Sequence, residues 1–245
     1  MERKNLASLY TQSFRDNWDL PLFSDYEGET FYYKDVALSI QTIKSVFSNV
    51  GIAKGDKIAI YGRNSSNWGK IFLACASYGV IAVPILPDFK PDNVHNIVNH
   101  SGAMFLFAAR SLYSTLNIDE MPSLKGVIAI EDFAILKAID ENLQNFTSQG
   151  LNLMKDGHID REAFEFEPVD SDEMMILSYT SGSSGFSKGV MIPVRSVFSN
   201  VIFAQEHMPL KPGIGTRRAT RRHAPWEGTK QFCRPISMAC ALEQK

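Results

Sequence analysis

Apolar and polar positions change period several times along the chain, and each change marks an element. "LPLF" and "TFYY" flank the polar "SDYEGE" (Ser24 to Glu29), which predicts a hairpin near the amino terminus. From Lys34 to Asn49 the apolar residues Val36, Ala37, Ile40, Ile43, Val46 and Phe47 recur at helical spacing, and the turn cluster "GIAKGD" ends that helix. "KIAIYG" then reads as a short strand. "NSSNWGKIFLACASYG" follows as a helix capped by Asn64 or Ser65, with Trp68, Ile71, Phe72, Cys75 and Tyr78 on its buried face. "VIAVPILP" is a second strand, and "KPDNVHNIVNHSG" a helix with Pro91 near its start and Gly102 past its end. "AMFLFAA" and "KGVIAIED" are the third and fourth strands. "EMMILSYT" is the fifth, after a polar stretch from about Phe133 to Asp172 in which helical segments are expected. Apolar strands separated by helices imply an α/β fold: a mostly parallel sheet with helices on both faces, preceded by the hairpin.

Composition narrows this picture little. The 245 residues, 44% hydrophobic and 21% charged, suit one large domain or two small ones. A formal net charge of −2 gives no electrostatic reason to expect nucleic acid or an acidic membrane as partner. Cys75, Cys233 and Cys240 are scattered without a CxxC, and Cys75 lies in an apolar run as a core residue would. There is no apolar signal segment and no run of 18 apolar residues, so a cytoplasmic chain that does not span a membrane is expected. From Ile214 the sequence changes to "IGTRRATRRHAPWEGTKQFCRPISMACALEQK", with five arginines and no apolar period. A basic arm for nucleic acid is one reading of this tail. A non-native or disordered carboxy terminus is the preferred one.

One stretch carries chemistry. "YTSGSSGFSKGV" (Tyr179 to Val190) holds eight Gly, Ser or Thr residues among its twelve, directly after "MMILS". As a linker it would be flexible and incidental. Anchored after a buried strand, it instead lies where α/β folds bind ligands, at the carboxyl edge of the sheet. Gly182, Gly185 and Gly189 allow backbone N–H groups to turn inward, and Thr180, Ser181, Ser183 and Ser184 add hydroxyls. Lys188 supplies a compact positive charge. Together they make a phosphate cradle, though not the P-loop of nucleotide hydrolases, because Ser187 precedes Lys188 and Gly189 follows it.

The stretch resembles the AMP-binding signature of the adenylate-forming superfamily, close to "YTSGTTGxPKGV", which includes acyl-CoA synthetases, luciferases and adenylation domains. The resemblance extends upstream through "GIAKGDKIAIYGRNSSNW" and "NIVNHSGAMFLFAA", and covers about Leu6 to Gly213. "FSKGVMIPVRSV" looks most like synthetases for long-chain fatty acids. The resemblance implies that ATP activates a carboxylic acid, such as a fatty acid, to an acyl-adenylate, which coenzyme A then converts to a thioester. It implies ATP, Mg2+ and coenzyme A as cofactors or co-substrates, and proximity to a membrane only through a lipid substrate. Thr180, Ser181, Gly182, Ser183, Ser184, Gly185 and Lys188 are carried over as ATP phosphate contacts.

Departures matter as well. Ser184 stands where threonine is usual, Ser187 where proline is usual, and Val194 where many relatives carry histidine. After Gly213 the family's later motifs do not follow: the adenine-binding aromatic motif, the metal-binding glutamate, the ribose-binding aspartate and the carboxy-terminal lysine. The expectation is therefore an amino-terminal part of the adenylation domain over residues 1–213 and an atypical arginine-rich tail over 214–245. No catalytic residue and no metal ligand is expected in this chain, and it is not expected to be competent alone. A nucleotide-binding or scaffolding module without ligase activity is the alternative. Trp68, Phe72 and Phe203 are read as core, and Phe198, Val201 and Ile202 as the packing face of the helix after the loop. The acyl chain and the oligomeric state are not legible.

Overall fold

A computed structural model describes residues 5–25, 27–144, 157–180 and 188–207. The first element is a helix that the periodicity did not assign, α1 (Leu6–Asp16). Asn5 caps it by accepting the Ser8 N–H at 2.8 Å, and Ser8 Oγ accepts the Asn5 N–H in return. Its buried stripe of Leu6, Leu9, Tyr10 and Phe14 faces the core.

The expected hairpin follows as β1 (Pro21–Ser24) and β2 (Thr30–Tyr32), antiparallel with Phe23 opposite Phe31. Next come α2 (Tyr33–Asn49), β3 (Lys57–Tyr61) and α3 (Ser66–Tyr78). Ser65 is the cap of α3, its side chain accepting the Trp68 N–H at 3.1 Å. The chain continues through β4 (Ile81–Ile85), α4 (Pro91–Ser101), β5 (Phe105–Ala108), the single turn α5 (Arg110–Tyr113) and β6 (Gly126–Ala129). Gly79 and Gly102 close α3 and α4 in the left-handed conformation, which costs glycine no Cβ clash.

The segment 133–172 departs from expectation. Its first part is a strand, β7 (Ile135–Ala138), antiparallel to β6. Helix is confined to 141–144 among its described residues, and 157–172 is turns and irregular chain. This irregular chain still builds core. Phe164 and Phe166 lie at 5.0 and 5.5 Å from the Phe14 ring, and Tyr10 is 5.2 Å from Phe166. The Phe166 N–H donates to Thr11 Oγ1 and Arg15 Nε donates to the Phe164 carbonyl, so α1 and this chain hold each other. The packing partners of these phenylalanines, Tyr10 and Phe14, lie at the other end of the described chain, which explains why local periodicity is silent there.

The remaining elements are β8 (Met174–Thr180), β9 (Lys188–Pro193) and α6 (Val194–His207). The seven-stranded sheet has the order β7-β6-β5-β3-β4-β8-β9. Its β3–β4, β3–β5, β4–β8 and β5–β6 pairs are parallel, and antiparallel pairs occur only at the two edges. One face packs on α1, α2, α3 and α6 around Phe47, Ile58, Phe72, Phe105 and Val201. The other packs on α4 around Val83, Val94, Ile97, Leu106 and Leu177. Helices thus cover both faces.

Trp68 and Phe72 are core, and Cys75 is buried, as expected. Phe203 is not core: it is 57% exposed. The sheet-facing stripe of α6 is Val194, Val197, Val201 and Ala204, so position 203 points away and its ring stacks on His207 at 4.3 Å.

Candidate functional site

The carboxyl end of β8 carries the predicted site. Along β8 the burial is complete from Met175 to Tyr179 and ends at exposed Thr180. Leu177 and Tyr179 lie in the α4-side cluster, while Ile176 lies on the other side. The strand alternates, so Thr180 shares the face of Ile176 and Ser178. β9 returns antiparallel with Tyr179 opposite Gly189 and Thr180 opposite Lys188. Directly opposed residues on an antiparallel ladder project from the same face, with Cβ atoms about 5 Å apart. Thr180 and Lys188 are therefore neighbours at the mouth of the hairpin, and both are exposed. A hydroxyl beside an unshielded ammonium suits an anionic oxygen.

Of the seven predicted phosphate contacts, the structure brings these two together. Ser181, Gly182, Ser183, Ser184 and Gly185 lie outside the described residues, as does everything after residue 207. The strand that follows the loop was not expected. Lys188 is the first residue of β9 rather than part of a loop that opens a helix.

Two residues near the site carried no assigned role in the sequence reading. The phenol oxygen of Tyr179 lies 2.7 Å from Nδ1 of His100 on α4, with the two rings at 89°. Burial pushes the Tyr179 phenol above its ordinary range. The residues are 79 positions apart, and no local signal could have paired them.

Elsewhere, a small pocket is lined by Leu6, Tyr10, Val80, Phe166, Met175 and Val194 among others. It borders the start of β8 and the end of β9, at the opposite edge from Thr180 and Lys188. Among the described residues no group of three or more His, Cys, Asp or Glu side chains could hold a metal ion. Among them, too, no helix is long and apolar enough to cross a membrane.

Comparison with known proteins adds a family. Residues 11–232 match the family described as AMP-binding enzyme, a span that includes the first part of the arginine-rich segment. The chain is 29% identical over 186 residues to the peroxisomal long chain acyl-CoA synthetase 6 of Arabidopsis thaliana, covering 72% of this chain and 25% of that protein. It is 27% identical over 176 residues to the fatty acid–[acyl-carrier-protein] ligase ScoC of Streptomyces coeruleorubidus, covering 71% of this chain and 30% of that protein. The inhibitor-bound N-terminal domain of FACL13 from Mycobacterium tuberculosis superposes with a TM-score of 0.65 at 21% identity, over 86% of this chain and 49% of that one. At that identity the likeness is one of fold. The chain spans 25% to 30% of the length of these two curated relatives.

Proposed function

The chain belongs to the AMP-binding enzyme family, and from that premise we propose that its β8–β9 hairpin binds the phosphates of ATP in an acid–thiol ligase. The carboxylate substrate is a fatty acid, and the acceptor is the thiol of coenzyme A. In the first step a carboxylate oxygen attacks the α-phosphorus of ATP. The bond from that phosphorus to the bridging oxygen breaks, and pyrophosphate leaves with the electron pair. In the second step the thiol sulfur attacks the acyl carbonyl and gives up its proton, and AMP departs. Negative charge grows on the β- and γ-phosphates as pyrophosphate leaves. An ammonium and hydroxyls already aimed at that position lower the barrier without reorganising. Lys188 and Thr180 take that role here, with Ser181, Gly182, Ser183, Ser184 and Gly185 completing the cradle.

The observation that carries this reading is the Thr180–Lys188 rung, which sets a hydroxyl and an exposed ammonium side by side at the carboxyl end of the sheet. The division into residues 1–213, the amino-terminal part of the adenylation domain, and 214–245, a foreign tail, is part of the proposal, as is a cytoplasmic location. Coding DNA that continues in frame into "GTRRATRRHAPWEG" among relatives would overturn that division.

The test is calorimetric titration of the chain with Mg·ATP, beside Lys188→Ala. The variant should bind about tenfold to a hundredfold more weakly, the worth of a charge-assisted hydrogen bond. Its melting temperature should be unchanged, because the side chain is exposed. Equal affinity in the two proteins, or no binding by the wild type, would sink the assignment. By itself the chain should give no fatty-acid-dependent pyrophosphate–ATP exchange.

A further inference from the structure

The β8–β9 hairpin forms one edge of the sheet. Among the described residues β9 is the terminal strand, and β8 lies between it and β4. The last described rungs of the hairpin are Tyr179 with Gly189 and Thr180 with Lys188.

One side chain ties this ribbon to the neighbouring layer. Tyr179 is 4% exposed, and its hydroxyl is 2.7 Å from Nδ1 of His100, next to the last residue of α4. The hydroxyl and Nδ1 share one hydrogen bond, whose direction follows the imidazole tautomer. The rings meet edge to face, with centroids 5.8 Å apart. Opposite Tyr179 on the ladder stands Gly189. A Cβ there would come within 3.1 Å of Leu177 Cδ1 and 3.4 Å of Tyr179 Cζ, so the missing side chain leaves the ring its place. The next rung is Thr180 with Lys188.

We propose that His100 is a positioning residue. Through the Tyr179 hydroxyl it holds the last rungs of the hairpin against α4, and so sets the direction in which Thr180 and Lys188 meet an ATP phosphate. This rests on the phosphate-binding reading above and assigns that site a support from outside the Gly/Ser-rich loop. His100 does not touch the nucleotide; it acts through Tyr179.

The experiment compares the wild-type chain with His100→Phe, Tyr179→Phe and the rescue variant His100→Asn, whose side-chain amide can accept from the hydroxyl or donate to it. Three quantities are read: amide hydrogen exchange at 177–180 and 188–190, affinity for Mg·ATP, and melting temperature. The two Phe variants should exchange about fivefold faster at those amides, and bind Mg·ATP about fivefold more weakly, as expected for losing one half-buried hydrogen bond. His100→Asn should stay within about twofold of wild type on both. The two Phe variants should melt no more than about 2–4 °C below the wild type, and His100→Asn beside it. Unchanged exchange at the hairpin base overturns the proposal. So does faster exchange spread through β3 and β4 with a drop in melting temperature well beyond about 4 °C, which marks a merely structural role. Full Mg·ATP affinity in both Phe variants overturns it too. A wild-type chain that binds no Mg·ATP overturns the phosphate reading instead, and the exchange pattern then decides the role of His100 on its own.

Discussion

Lys70→Met should stabilise this protein at neutral pH and lose that advantage in alkali. Lys70 lies on α3 beneath the β1–β2 hairpin and is only 4% exposed. Its ammonium sits 3.2 Å from the centre of the Phe31 ring and donates to Asn67 Oδ1 at 3.0 Å. Burial drives its pKa from 10.5 down to about 8, while Glu29, Asp25 and Asp35 pull the other way. The folded pKa is thus below the unfolded one. Between the two, the unfolded chain binds more protons, so stability rises as pH climbs from about 8 to 10.5. Below that window the whole penalty is present, about 3 kcal/mol at about 1.4 kcal/mol per pH unit. Methionine removes the penalty, but forfeits a cation–π contact and a hydrogen bond worth about 1–2 kcal/mol together. The variant should therefore be more stable by about 1–2 kcal/mol at pH 7. Between pH 7 and pH 10 the wild type should gain about 2.5 kcal/mol on it, erasing or reversing the difference. Urea midpoints of both proteins across that range measure this directly. Tyr61 and Tyr179, whose pKa values burial shifts upward instead, titrate in both proteins and cancel in the comparison. A stability difference that stays constant from pH 7 to pH 10 would refute the reasoning.

Gly69→Ala on the same helix sets two effects against each other. Alanine improves helix propensity by about 1 kcal/mol. Its Cβ, however, would sit 2.8 Å from Phe23 Cζ, an overpacking that costs about 1–3 kcal/mol. Thermal melts should show a net loss in Gly69→Ala, and recovery when Phe23→Leu is added; a stabilised single variant would mean the hairpin yields. Cys75 is buried and its thiol is pushed far up by that burial. Peptide mass spectrometry after iodoacetamide at pH 8 should find it unmodified in the folded chain and alkylated in urea. Labelling of the native protein would contradict the packing of α3.

Much of the central sheet was legible in advance, for physical reasons visible in single elements. The strands β3 to β6 are short apolar runs because a parallel sheet buries both faces. The helix ends were legible too, since Ser65, Pro91 and Gly102 satisfy or stop the backbone locally. α1 was missed although Asn5 and Ser8 form a capping box. β7 was missed because its half-buried edge position gives it no clear period. Phe203 was misplaced because an aromatic residue on a helix says nothing of which side faces the sheet.

For the candidate site, sequence alone determined the residue types: glycines, hydroxyls and one lysine, after a buried strand and in an order that resembles one family. Those are properties of neighbours along the chain. Only the tertiary structure decided that Lys188 begins an antiparallel strand and therefore stands beside Thr180. It alone brought His100 to Tyr179 and buried Lys70 under Phe31. Each of these depends on strand order, register or the packing of one layer on another. Such contacts join positions far apart in sequence, and their energies exist only once the sheet has closed.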